Sequence, residues 1–92
     1  MKLAKSFKDL LVWQKAHTLG LGVYKYTGSF PESEKFVLVN QMRRSAISIP
    51  ANIAEGFKKR TKKDKLNFFN IAQGSLEELK YFILLAHDLG YM

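Results

Sequence analysis

The chain has no cysteine, one tryptophan, two prolines and only eight acidic residues against fifteen Lys and Arg. The missing cysteine excludes a disulfide framework and thiol chemistry, and is compatible with a reducing cytosol. No apolar stretch is long enough for a membrane span: the longest, Tyr81 to Ala86, is a fraction of the roughly 20 residues required. Nor does the N-terminus, despite Lys2, Lys5 and Lys8, hold the apolar core of a signal peptide. No segment alternates apolar and polar residues as a half-buried strand does, and no repeat or low-complexity linker interrupts the chain. The expectation is a cytoplasmic protein forming a single domain over residues 1–92, near the size at which one core barely suffices. The shortage of acids leaves a net charge of +7, which favours acidic partners, nucleic acid first.

Helical periodicity is what the sequence does have. Asp9 or Leu10 opens a first helix, with Asp9 as its cap, running to Thr27. Val12, Ala16, Leu19, Val23 and Tyr26 form its stripe, Trp13, Ala16, Gly20, Tyr24 and Thr27 lie beside it, and Trp13 is read as core. Gly28-Ser29-Phe30-Pro31 ends it. A second helix is expected from Pro31 to Ser33 onward, with Leu38, Val39, Met42, Ala46, Ile49 and Ile53 facing the core. Pro50 should kink it and Gly56 should stop it. A third helix follows a capping box at Thr61 to Asp64 and ends at Leu89-Gly90. Phe69, Ala72, Leu76, Leu79, Ile83 and Ala86 form its core stripe, widened by Phe68, Ile71, Phe82, Leu85 and Leu89. A helix apolar over so much of its girth needs neighbours on several sides. The fold class is all-α, an antiparallel up-down bundle in which three helices are evident and a fourth is missing.

Charge is concentrated at one corner. Residues 58 to 65 hold Lys58, Lys59, Arg60, Lys62, Lys63 and Lys65 against Asp64, a local +5 at the start of a helix. Such a corner can grip phosphates, and five contacts would give a log–log salt slope of about −4 to −5. The alternative is a solvated loop that keeps the chain soluble. Only Phe57 flanks the run, so base stacking is weakly supported. Arg43 and Arg44 point about 100° apart. One is expected to pair with Glu55, Glu77 or Glu78, within or between subunits, and the other, taken as Arg43, to join the basic surface. Asn52 and Glu55 are read as satisfying backbone groups freed by Pro50, or as capping a neighbouring helix. Gly74-Ser75 suggests close packing against Gly20 or Ala54.

Enzyme chemistry has little to stand on. Glu77 and Glu78 are adjacent carboxylates, but Lys80 and Tyr81 stand where a di-metal bundle would place histidine. His17 and His87 have no ligand-spaced partner, and no glycine-rich phosphate loop or serine elbow is present. No metal, cofactor or catalytic residue is expected.

The chain resembles a known family, the small bacterial four-helix-bundle proteins first noticed as products of intervening sequences in large-subunit ribosomal RNA genes. The likeness rests on Phe7-Lys8-Asp9-Leu10 with Val12 to Ala16, on Gln41-Met42-Arg43-Arg44-Ser45-Ala46, on the block Ser48 to Gly56, and on Ile71 to Leu79 with Leu89-Gly90-Tyr91. It implies an antiparallel four-helix bundle assembled into a ring-like homopentamer. It also implies kinship with the accessory protein of diversity-generating retroelements, a basic pentamer that binds nucleic acid and a reverse transcriptase. Residues read as structural or interfacial are Trp13, Arg44, Pro50, Asn52, Glu55, Gly74 and Glu78. The expected function is a non-enzymatic, oligomeric adaptor that binds RNA or DNA. The alternative is a protein-interaction scaffold without nucleic-acid binding.

Overall fold

Apolar residues at three- and four-residue spacing dictate helices, and the computed structural model, which describes residues 3–92, is helical throughout its regular structure. A 3-10 turn at Phe7–Asp9 leads into α1 (Leu11–Thr27). A second 3-10 turn at Glu32–Glu34 leads into α2 (Leu38–Lys58), and a short corner leads into α3 (Lys62–Asp88). The helices run up, down and up. Gly20 of α1 lies over Ala46 of α2, and Arg43 reaches back to Thr27. On the other side Ser48 meets Ser75, and Ser45 meets Glu78.

Helix α2 is the hub. Both α1 and α3 pack on it, and no Cα of α1 comes within 8 Å of one in α3. The six positions expected to face the core from this helix are all buried, with Met42 1% exposed and Ala46 fully enclosed. Ala16 and Val23 from α1, Ala72, Leu79 and Ala86 from α3, and Phe30 complete the core. The bundle is therefore open. Its radius of gyration is 14.8 Å, against roughly 12 Å for a compact chain of this length. Its accessible surface is 6807 Å², against roughly 5,500 Å² for a compact monomer of this mass. Leu21 on α1 and Leu84 on α3, 59% and 56% exposed, belong to the apolar surface left uncovered.

Several local expectations are corrected. Asp9 does not cap α1, whose N-cap is Leu10 without a side-chain bond. Asp9 instead closes a capping box on the first 3-10 turn, accepting from the amides of Lys5 at 2.8 Å and Ser6 at 3.1 Å. The α1 stripe is rotated from the expected one. Val12 and Tyr26 are exposed, while Trp13 packs on the core and Thr27 is buried. Helix α2 begins at Leu38 rather than near Pro31, because Pro31 opens a separate 3-10 turn. It runs on through Pro50 to Lys58. Gly56 does not stop it: a Cβ there would stand 2.9 Å from Phe69 Cε1 and 3.1 Å from Phe68 Cβ, so glycine lets α3 come close. On α3, Leu76 is exposed rather than part of the core stripe expected of it. Gly90, at φ +82°, ends α3 as expected. Its amide bonds to the His87 carbonyl at 3.0 Å and the Tyr91 amide to the Ala86 carbonyl at 2.9 Å, a Schellman arrangement. Tyr91 is thereby set against Phe30 and donates to a Glu34 carboxylate oxygen at 2.8 Å.

Candidate nucleic-acid interface

The basic corner forms where α2 ends and α3 begins. Helix ends leave carbonyls and amides without intrahelical partners. Here two side chains supply them. Lys65 folds back, and its ammonium donates to the carbonyls of Phe57 at 2.8 Å and Gly56 at 3.4 Å. Thr61 caps α3 by accepting from the Asp64 amide at 3.1 Å. The reciprocal bond, from the Thr61 amide to the Asp64 carboxylate, does not form, so the box expected at Thr61 to Asp64 is half built.

Of the six cations read from the sequence, two are committed to packing. Lys65 closes α2, and Lys59 lies over the Phe68 ring, 4.9 Å from its centroid. Lys58, Arg60, Lys62 and Lys63 are exposed. Ion pairs among the described residues are Glu32 with Lys35 and Glu77 with Lys80, and a polar contact joins His87 to Asp88, none of them at this corner. The fold adds a contribution that the linear run does not reveal. The N-terminal 3-10 turn packs on α2, and a cleft of about 390 Å³ there is lined by Lys5, Ser6, Phe7, Ala54, Glu55, Phe57 and Lys58. Lys5 thus joins the corner from the far end of the sequence. Backbone amides of Lys5, then Ser6, hold the Asp9 carboxyl below its usual pKa of 3.8. The turn that carries Lys5 and Phe7 is therefore fixed by a charged acceptor.

Arg43 is not part of this surface. Its Nε donates to Thr27 Oγ1 at 3.0 Å and its Nη2 to the Tyr24 carbonyl at 3.3 Å, with the guanidinium 4.5 Å over the Tyr24 ring. Thr27 passes the contact on, donating to the Val23 carbonyl at 2.7 Å. Arg43 therefore ties α2 to the C-terminal turn of α1. Arg44 is exposed and makes no ion pair with Glu55, Glu77 or Glu78 of its own chain, which leaves the pairing expected of it to a neighbouring subunit. It borders a polar groove with Gln41, Ser45, Ser48, Ser75 and Glu78.

The sequence reading missed that groove's polar seam. Buried Ser45 donates to Glu78 at 2.5 Å, and Ser75 donates to Ser48 at 2.8 Å. Asn52 donates to the Ser48 hydroxyl at 2.9 Å and to its carbonyl at 2.7 Å. Asn52 thus serves its own helix one turn back, rather than the Ala46 carbonyl that Pro50 leaves without a donor. The available signal was the spacing of Ser45, Ser48 and Asn52 on one helix opposite Ser75 and Glu78 on the other. Glu55 is exposed on the cleft and caps no helix. Gly74 is also exposed, and a Cβ there would meet nothing within 4 Å, so the close approach expected at Gly74 belongs to Gly56. Pro50 and Trp13 line an apolar groove between α1 and α2, with His17 stacked on Trp13 at 5.0 Å. Among the described residues no His, Asp or Glu cluster fit to hold a metal ion is present, and no helix is long and apolar enough to cross a membrane.

These features define a basic, open, all-helical bundle with its positive charge at one end. The chain belongs to the 23S rRNA-intervening sequence protein family, which matches residues 8–92. A comparison with curated proteins finds no match.

Proposed function

We propose that the protein is a non-enzymatic, oligomeric adaptor that binds the phosphate backbone of nucleic acid through the corner built from Lys58, Arg60, Lys62 and Lys63. The observation that carries this reading is four exposed cations in one short corner, without an acidic partner among the described residues. Charge left uncompensated at such density attracts a polyanion and makes its binding depend on salt. The ribosomal RNA context in the family's name points the same way. The uncovered apolar faces of α1 and α3 supply the motive for assembly with further copies, five by the likeness drawn from the sequence. Repeating the corner around a ring would turn weak contacts into useful affinity.

The test is a titration of labelled RNA and DNA at about 50 and 200 mM salt, with the mass of the same sample measured by light scattering. Affinity falling with a log–log slope of about −3 to −4, and lost on changing the four residues to glutamine, is the expected result. An oligomer of defined mass that binds neither polymer at low salt would replace this reading with that of a protein scaffold.

A further inference from the structure

The cleft beside the corner says which form of nucleic acid the surface suits. Its floor is apolar, made by Phe7, Ala54 and Phe57, and its rim carries Lys5 and Lys58. The two aromatic rings come from opposite ends of the sequence, and only folding places them on the same cleft. Phe7 is held edge-on to Trp13, with ring centroids 4.9 Å apart, and Phe57 has the Lys65 ammonium 5.7 Å from its ring centre. Both rings are half-buried and packed against these neighbours, so a ligand meets them already ordered. A duplex presents phosphates but keeps its bases stacked inside. A single strand presents phosphates and bases together, and bases stack on aromatic faces wherever a cationic track runs beside them.

We infer that this cleft is a base-stacking pocket, and that the protein binds single-stranded polynucleotide in preference to duplex. The inference rests on the backbone-binding reading above and deepens it. Phosphates lie along Lys58, Arg60, Lys62 and Lys63, with Lys5 reaching them from the opposite rim. One unpaired base enters between Phe7 and Phe57. Glu55 is the one acidic side chain on the lining, and it disfavours phosphate there. It thereby keeps the backbone on the lysine side, and its carboxylate can accept from the amino edge of a base. The cleft's volume, about 390 Å³, is of the scale that ligand pockets take and large enough for a nucleobase.

The experiment uses the whole chain and three labelled probes: a single-stranded RNA and a single-stranded DNA of about a dozen nucleotides, and a duplex of the same length. Each is titrated against the wild type, Phe7→Leu and Phe57→Leu, with thermal melts confirming that the variants fold. Leucine keeps the apolar volume and removes the stacking face. The expected result is tighter single-strand than duplex binding by the wild type, a loss of at least about fivefold for single strands in each variant, and an unchanged duplex affinity. Trp13, the only tryptophan, lies behind Phe7 and should change its emission with single strands only. Equal wild-type affinity for single strand and duplex would overturn the pocket while leaving backbone binding intact. So would leucine variants that bind single strands like the wild type. Failure to bind any probe would overturn the backbone reading and the pocket with it. Should a leucine variant not fold, the wild-type single-strand preference and the Trp13 response still decide the matter.

Discussion

The ammonium of Lys65 donates to the carbonyl of Phe57 at 2.8 Å and so closes the C-terminus of α2 from within α3. A cation in a basic run that reads as ligand-binding surface is thus part of the corner's own structure. Replacing Lys65 by methionine is expected to lower stability by about 1 kcal/mol, since a hydrogen bond from a charged donor is lost at a partly exposed site. Exchanging Lys62 or Lys63 for glutamine should leave the melting temperature unchanged, yet flatten the salt slope by about 0.7 to 0.9 per phosphate contact. Chemical denaturation and salt titration on the same variants separate the two roles.

Gly56 and Gly74 should answer alanine with opposite signs. At Gly74 a Cβ meets nothing within 4 Å, and helix propensity alone predicts a gain of about 1 kcal/mol. At Gly56 the same atom would meet Phe69 Cε1 at 2.9 Å and Phe68 Cβ at 3.1 Å. Phe68 Cβ sits next to the backbone and cannot move without α3, so overpacking should cost about 1–3 kcal/mol and outweigh the propensity gain. Urea unfolding of both variants checks the pair.

Arg43 and Arg44 are neighbours with different expected phenotypes. Arg43→Met removes two hydrogen bonds and the stacking on Tyr24, and should destabilise by about 1–3 kcal/mol. Arg44→Met removes an exposed side chain without an intrachain partner, and should change stability by less than about 0.5 kcal/mol. Comparable losses in a thermal melt at low protein concentration would contradict the assignment.

Two pH effects follow from local hydrogen bonds. The Asp9 carboxyl is held below 3.8 by the amides of Lys5 and Ser6, so its contribution is complete above that value. It is lost as pH falls through the lowered folded value. The N-terminal turn should fray first in acid, and Asp9→Asn should abolish that step. The Tyr91 hydroxyl is raised above 10.0 chiefly by its bond to Glu34, so its contribution is complete below 10.0 and is lost as pH rises through the raised value. Tyr91→Phe should remove this alkaline step. Amide exchange at the two chain ends, followed against pH, checks both.

The uncovered faces predict assembly. Glutamate at Leu21 and at Leu84 should lower the mass measured by light scattering, because a charge on a dry interface cannot be compensated. Unchanged mass in the double variant would mean that copies meet elsewhere.

The sequence by itself determined the three helices and most of the core. Leu38, Val39, Met42, Ala46, Ile49 and Ile53 announce the buried face of α2, because 3.6-residue spacing is a local property of the chain. It also determined that positive charge gathers between residues 58 and 65, since composition survives folding. Tertiary structure decided what each charged group does there. Whether a lysine faces solvent, like Lys62, or closes a helix, like Lys65, depends on a carbonyl several residues away in another element. It decided that Arg43 reaches Thr27, that Gly56 rather than Gly74 marks close packing, and that Phe7 and Phe57 line one cleft. It also left α1 and α3 apart, their apolar faces open. Periodicity fixes which face of a helix is apolar. Only the packing of α1 and α3 on α2 fixes how much of that face is covered, because cover comes from elements distant in the chain.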